Sequence, residues 1–460
     1  MALIELDLSA PPAPAPRRPP AHYYRWIGVL VAAVLVLTMS AAASPAVVRW
    51  QRAGIVPMVG PDVSFQIIGG RLYLTDIMSG RRLISAWTLR PLRRLWAASL
   101  PAATTPQGAV LHSGAASVSA AGGDVLLRDT KSDTILDGRT GAVRWSSNST
   151  ITVLGGRVGL LSETSFRPGT VYDQSSGDPG PLFFDSTGVA HTQPPLSTAL
   201  RGVDLATGRP LWSVAVAGSV VTAPASGDEP AVVVVSADRI TLRAADTGAV
   251  LRERPLPAST GISRVRVVGD LLFLENQDTQ ANTSAIAYGM DTLDERWRLD
   301  EADGDGDHGS CTGLPCGPGF PPDRRPVGAG LGRAGLAVLD PRTGMPLWQV
   351  ARDVDLVARV DGVLEARDDS GAPQRLLDDR TGAVRAVLSG WGMTADSAAN
   401  DPLVVLRAAK GTAFGVLLPG KHAVWPLGRS ADAVEDCSSN KRFVVCQAVG
   451  GVEVWSYRAG

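Results

Sequence analysis

Lysine is almost missing from this chain: of 44 basic residues only Lys131, Lys410, Lys421 and Lys441 are Lys, which leaves 40 Arg. That skew tracks the codon usage of a high-GC bacterium, an association and not a physical constraint. Charge of one sign is also missing. The formal net charge is -1, so no global field favours nucleic acid. Histidine is scarce, and His22, His112, His191, His308 and His422 stand far apart with no H-E-x-x-H pair among them. Neither a G-x-S-x-G elbow nor a G-x-x-x-x-G-K-[ST] loop occurs, so hydrolase and P-loop chemistry lack their usual signatures. Isolated histidines of this kind read as loop or rim residues.

Turn-forming residues are plentiful. Gly 50 and Pro 33 make up 83 of the 460 residues and are spread along the chain. Length alone suggests two or three domains of roughly 150 residues each. Scattered Gly and Pro with 45% hydrophobic residues point instead to many short elements joined by turns, an all-β propeller or large barrel. Such a chain can bury a core without metal or disulfide support. Aromatic residues are only 5%, but Trp contributes 11 of them.

The N-terminus sets the expected address. Residues 1–25 are polar and Pro-rich, carry Arg17, Arg18 and Arg25, and read as a disordered cytoplasmic tail. Residues 26–48 then run without a charge, long enough for the ~20 residues a membrane helix needs. Three preceding Arg favour a cytoplasmic N-terminus, and His22, Tyr23, Tyr24 and Trp26 would sit at the interface. The competing reading is a cleaved signal peptide, with Ser40 to Ala43 as the small-residue cleavage region. Both readings put residues 49–460 outside the cytoplasm, in a single-pass membrane protein if the anchor stays.

Four cysteines occur as two close pairs, Cys311/Cys316 and Cys437/Cys446. In an oxidising compartment these read as two local disulfides. Zinc is the alternative, but C-x4-C and C-x8-C lack the usual knuckle spacing. The acidic run Glu301 to Gly309 places Asp303, Asp305 and Asp307 like the start of a Ca2+ loop. His308 at the sixth position and Leu314 at the twelfth break that pattern, so a solvated loop is the reading taken.

Self-similarity is the strongest signal. Asp137 to Trp145, Asp204 to Trp212 and Asp340 to Trp348 align without gaps as D-x-x-T-G-x-x-x-W. Asp378 to Gly382 keeps the turn but has Ala386 at the Trp position. Ala244 to Gly248 leads to Arg252, and Gly289 to Trp297 loses the first Asp and the Gly. More distant copies end at Trp96 and Trp425. The physics is that of a β-hairpin: Asp accepts amide hydrogen bonds from the turn, Gly supplies positive φ, and the next strand delivers Trp to a buried position.

Positions 96, 145, 212, 252, 297, 348, 386 and 425 are mostly 38 to 51 residues apart, the period of a four-stranded propeller blade. The longer gaps hold insertions, Phe166–Pro195 and Ala302–Pro326, which are the expected contact surfaces because long loops on rigid scaffolds carry recognition. Ala46 to Trp50 resembles Gly141 to Trp145, while the strands after Trp425 lack a final partner. The termini are therefore expected to share a closing blade. The expectation is eight blades, with seven and nine open.

The repeated turns resemble the pyrroloquinoline-quinone (PQQ)-like repeats of quinoprotein-type β-propellers, and the likeness runs roughly from Ala46 to Tyr457. The membrane segment and Arg-rich composition further resemble membrane-anchored actinobacterial members. The resemblance implies a blade-locking role for Trp96, Trp145, Trp212, Trp297, Trp348 and Trp425. It also implies three kinds of activity, since the family includes quinone-dependent dehydrogenases, envelope assembly scaffolds and sensor ectodomains. The dehydrogenases stack their cofactor on adjacent cysteines beside Ca2+, and this chain has no adjacent cysteines. The expected function is thus a non-catalytic binding or scaffold module in the cell envelope, with no cofactor or metal and with a protein or envelope partner at the rim loops. A PQQ-dependent oxidoreductase is the alternative.

Overall fold

Alternating β-branched and small residues dominate the chain, and in the computed structural model they form strands almost throughout. The structure describes residues 28–31, 49–58, 63–78, 81–101, 117–129, 132–185, 188–225, 227, 229–257, 262–277, 283–300, 311–318, 335–350, 354–367 and 369–458. Residues 28–31 are helical. The rest of the expected tail and membrane segment lies outside the described residues, as does the acidic run 301–309. No helix among the described residues is long and apolar enough to cross a membrane.

Residues Arg49–Tyr457 form one unit. Its strands make successive up-and-down antiparallel sheets, spanning 63–101, 117–147, 152–217, 221–255, 262–300 and 393–430. In each sheet the middle strands are buried on both faces by the neighbouring sheets. Ala231–Val235 and Thr412–Leu417 are buried at every position, whereas the outer strand Val250–Pro255 is mostly exposed. This stacking is a β-propeller.

A seventh four-stranded sheet closes the ring by combining Arg49–Val56 from the start of the unit with Gly451–Arg458, Phe443–Ala448 and Val434–Ser439 from its end. The expected sharing of one blade by the two termini is what the topology contains. Buried Glu453 pairs across this seam with Arg52 and accepts a hydrogen bond from Ser430 at 3.0 Å. Trp50 stacks on Trp455 (centroids 5.6 Å apart) and tilts against Phe414 (4.9 Å) in the preceding sheet.

The remaining stretch, 311–387, holds a three-stranded and a five-stranded sheet. Cys311–Thr312 runs parallel to Val354–Arg359, while Cys316–Pro318 is antiparallel to Leu336–Leu339. The Cys311–Cys316 disulfide therefore staples two sheets together. Counting this stapled pair as one unit gives the expected eight blades, and counting each of its hairpins gives nine. The second disulfide, Cys437–Cys446, joins facing residues of the closing blade.

The repeat motif acquires its meaning between blades. Asp137 Oδ1 accepts from the amides of Arg139 and Thr140 at 2.9 Å each, and Asp378 Oδ1 from those of Arg380 and Thr381 at 3.1 and 2.9 Å. These contacts hold both carboxyls below the ordinary carboxylate range. Backbone amides lead at Asp137, and the Arg385 guanidinium leads at Asp378. Each turn so fixed receives the Trp of the preceding blade. Trp96, Trp145, Trp212, Trp297 and Trp348 donate Nε1–H to the carbonyls of Gly138, Leu205, Ala245, Pro341 and Asp379, at 2.7 to 3.3 Å. All five acceptors occupy one register position, directly after the Asp site of the next repeat.

The turn glycine completes the contact. Gly344 has φ +68°, and a Cβ there would meet the Trp297 ring at 2.6 Å. Gly141, Gly208, Gly248 and Gly382 face Trp96, Trp145, Trp212 and Trp348 in the same way. Where a blade lacks the Trp, the next turn lacks the Gly. Arg252 replaces Trp, and the following turn has fully buried Leu293 at φ 59° in the Gly position. There Arg254 pairs with Asp294 of the turn at 2.7 Å and lies over the Tyr288 ring.

Trp425 departs from the expectation. It is 38% exposed on an edge strand, because the following hairpin has no D-x-x-T-G turn to receive it. After Ala386, Trp391 and Val424 pack against the buried cluster around it.

Two measurements test this interlock. Gly344→Ala should cost about 1–2 kcal/mol of left-handed strain plus about 1–3 kcal/mol of overpacking. Gly371→Ala, at φ +62° in open space, should cost only the strain, as read from urea midpoints. Arg252→Trp and Leu293→Gly should each destabilise, while the double variant recovers part of the loss. A coupling of about 0.5–3 kcal/mol in a double-mutant cycle is the expected result.

Candidate functional site

The insertion after Val158–Ser165 is the most elaborate non-blade segment among the described residues. Its parent strand pairs with Ser197–Asp204 over eight residues, so the insertion leaves the end of a rigid hairpin. Phe183–Phe184 and Ala190–His191 form a small ribbon, which Val171 joins by a bridge to His191. Asp173 caps the short 3-10 turn Gln174–Ser176, and the Ser175 amide holds its carboxyl below the ordinary range.

His191 organises the segment. Its ring stacks on Phe166 with centroids 3.8 Å apart, and Nδ1 hydrogen-bonds the Thr170 hydroxyl at 3.0 Å. Buried Nε2 lies 3.8 Å from Asp185 Oδ2, outside hydrogen-bond reach. Expected from the sequence to be a loop or rim residue, His191 lies in the insertion loop and is buried there. His422 stays exposed and bonds the Arg385 carbonyl at 3.0 Å, whereas His22, His112 and His308 lie outside the described residues.

Beside the insertion is a cavity of about 260 Å³, lined by Thr150, Thr152, Leu160, Ser162, Thr164, Phe184, Asp185 and Thr222. Strand alternation creates it. Leu160, Ser162 and Thr164 share the face that meets the next sheet. Leu160 closes an apolar cluster with Leu154, Leu200, Val232 and Val234, and the hydroxyl residues continue the same face beyond it. The interface between the two sheets thus changes from dry to polar along one strand. None of these five hydroxyl residues belongs to the repeat motif of the sequence. Alternation after Leu160 places only Ser162 and Thr164 on one face, and the other three arrive from neighbouring segments.

The described residues do not fit a quinone. Every cysteine is held in one of two disulfides, and neither joins adjacent residues. No group of three His, Cys, Asp or Glu among the described residues is placed to hold a metal ion. The second insertion contributes only residues 311–318 to the described set, and its Asp303, Asp305 and Asp307 lie outside it.

The family described as outer membrane protein assembly factor BamB, of the PQQ-repeat type, matches residues 197–373, which contain four of the repeat turns just described. Residues 197–373 are thus similar to that repeat family, and the fold of the described residues is a β-propeller. Among solved structures, BamB from Moraxella catarrhalis is 12% identical, with 89% of this propeller's chain and 100% of that chain covered and a TM-score of 0.40. A eukaryotic initiation factor (10% identity, 82% and 95% covered, TM-score 0.44) and a europium-containing methanol dehydrogenase (10%, 80% and 84%, 0.34) are similar at the same low level. None of these likenesses bears on function. No curated protein matches the chain.

Removing the stacking partner of His191 tests how the insertion is held. Phe166→Ala should speed proteolytic cleavage within residues 166–195 at least several-fold while moving the urea midpoint of the propeller little, because local and global opening are separate events. Equal shifts in both would mean that the insertion and blades unfold together.

Proposed function

We propose that the propeller is a non-catalytic binding module of the cell envelope, held at the membrane by the apolar segment 26–48, with Arg49 onward on the extracytoplasmic side. One observation carries the binding role. The 166–195 insertion and its base expose Val171 (60%), Phe184 (62%), Val189 (39%) and Leu196 (53%) on a segment tied down by hydrogen bonds and ring stacking. Apolar side chains held in water by a rigid loop are the pattern of a recognition surface. The partner that fits is a protein with an apolar patch of its own. The repeat-family match to an outer membrane assembly factor agrees with a scaffold of this kind, and the two disulfides agree with an oxidising compartment.

Cross-linking of the full chain in native membranes should capture a defined protein, and Val171→Asp with Leu196→Asp should abolish that product without changing thermal stability. An unchanged product, or none in the parent, would remove the docking role. The chain should remain in the membrane pellet after alkaline extraction, and release there would remove the anchor. Incubation with PQQ and Ca2+ should give no dye reduction, so turnover would establish the oxidoreductase alternative.

A further inference from the structure

The cavity beside Phe184 gathers hydroxyl side chains in its lining. Hydroxyls elsewhere in the same blade are paired: Thr198 donates to the Gly218 carbonyl at 2.7 Å, and Ser165 bonds Ser197 at 2.8 Å. Around the cavity they are not. Thr164 Oγ1 is fully buried without a partner. The hydroxyls of Thr150, Thr152, Ser162 and Thr222 also bond to no protein group among the described residues. A buried hydroxyl left unmatched costs about 1–3 kcal/mol, which applies to Thr164; Thr152, Ser162 and Thr222 are half-buried and Thr150 is exposed, so their hydroxyls are open to a ligand at the same place.

The lining also sets the chemistry of what could use that capacity. Among the described residues Asp185 is the one charged side chain on the wall and no Lys, Arg or His lines it, so an anion finds no counter-charge from them. Among the described residues Leu160 and Phe184 are the only apolar side chains, too few to hold an acyl chain. Hydroxyls both donate and accept, a carboxylate accepts, and an aromatic face packs against C–H groups. A pyranose ring presents the complementary set: hydroxyls around its edge, each able to donate and accept, and an apolar C–H face. The cavity volume of about 260 Å³ suits one such ring and not a long oligomer.

We propose that this cavity binds a single neutral sugar unit. Phe184 covers its C–H face, Asp185 accepts from its hydroxyls, and Thr150, Thr152, Ser162, Thr164 and Thr222 complete the edge contacts. The site lies between two blades, so its walls are held by the same interlock as the propeller. It shares Phe184 with the proposed docking surface but not Val171, Val189 or Leu196.

The test uses the full chain in detergent, with glucose, galactose and N-acetylglucosamine as separate probes and inorganic phosphate as the anionic control. Ligand-observed NMR and calorimetry should show saturable binding of at least one sugar and none of phosphate. Phe184→Ala, Thr164→Val and Asp185→Asn should each weaken binding about tenfold, the effect of losing one well-placed contact. The melting temperature of Thr164→Val should be unchanged or raised, because the substitution removes an unmatched hydroxyl. Val171→Asp with Leu196→Asp should bind the sugar normally, which separates failure here from failure of the docking role. Binding of none of the three sugars, binding of phosphate instead, or sugar binding indifferent to all three cavity variants would overturn the proposal.

Discussion

The contact on which this propeller depends is the seating of a tryptophan ring on the turn of the following blade. The indole N–H meets a backbone carbonyl that would otherwise be orphaned, and the ring face covers a glycine that no other residue could replace without displacement. Neither partner belongs to the same repeat as the other. Each blade therefore supplies a ring to one neighbour and a socket to the other, so packing between sheets is directional and repeats around the ring. Stability in such an arrangement is close to a sum of nearest-neighbour terms.

The departures from the rule show what it consists of. At Arg252 the ring is gone, and the socket closes with Leu293, which fills the vacated volume from the opposite side although its backbone stays left-handed. An ion pair and a cation–ring contact then replace the indole hydrogen bond. Past Trp348 the regular turns end, and the later blades pack through Trp391 and Trp455, which come from other positions, and through Trp50 of the closing strand. The ring thus has an orderly arc, from Trp96 to Gly382, and an irregular one containing its seam.

The fold was legible because its repeat is local. Asp, Thr, Gly and Trp recur within nine residues, and the hairpin they specify needs no long-range information. Pairing of the cysteines was legible from proximity alone. The exchange of rings and sockets was present in the sequence too, in the joint loss of Trp at 252 and Gly at 293, but it crosses repeat boundaries and is invisible to an alignment of single copies. Trp425 stands at the right interval, but no D-x-x-T-G turn follows to receive it, and interval alone does not show that. The cavity could not be read at all from spacing: Thr152, Ser162 and Thr222 become neighbours only through the stacking of two sheets, and Phe184 arrives from an insertion whose path follows from the buried contacts of His191.

The closing blade has a consequence in time. Arg49–Val56 is made first, and its neighbour Gly451–Arg458 some four hundred residues later. At roughly 5–20 residues per second the first strand waits about 20 to 80 seconds for its partner. Its apolar and aromatic edge stays unpaired throughout that interval, and the earlier blades can interlock while the ring is still open. The seam is therefore the point at which a second chain could insert its own last strand; the buried Glu453 opposite Arg52 fixes the register of whichever last strand docks, and tethering within one chain is what favours its own.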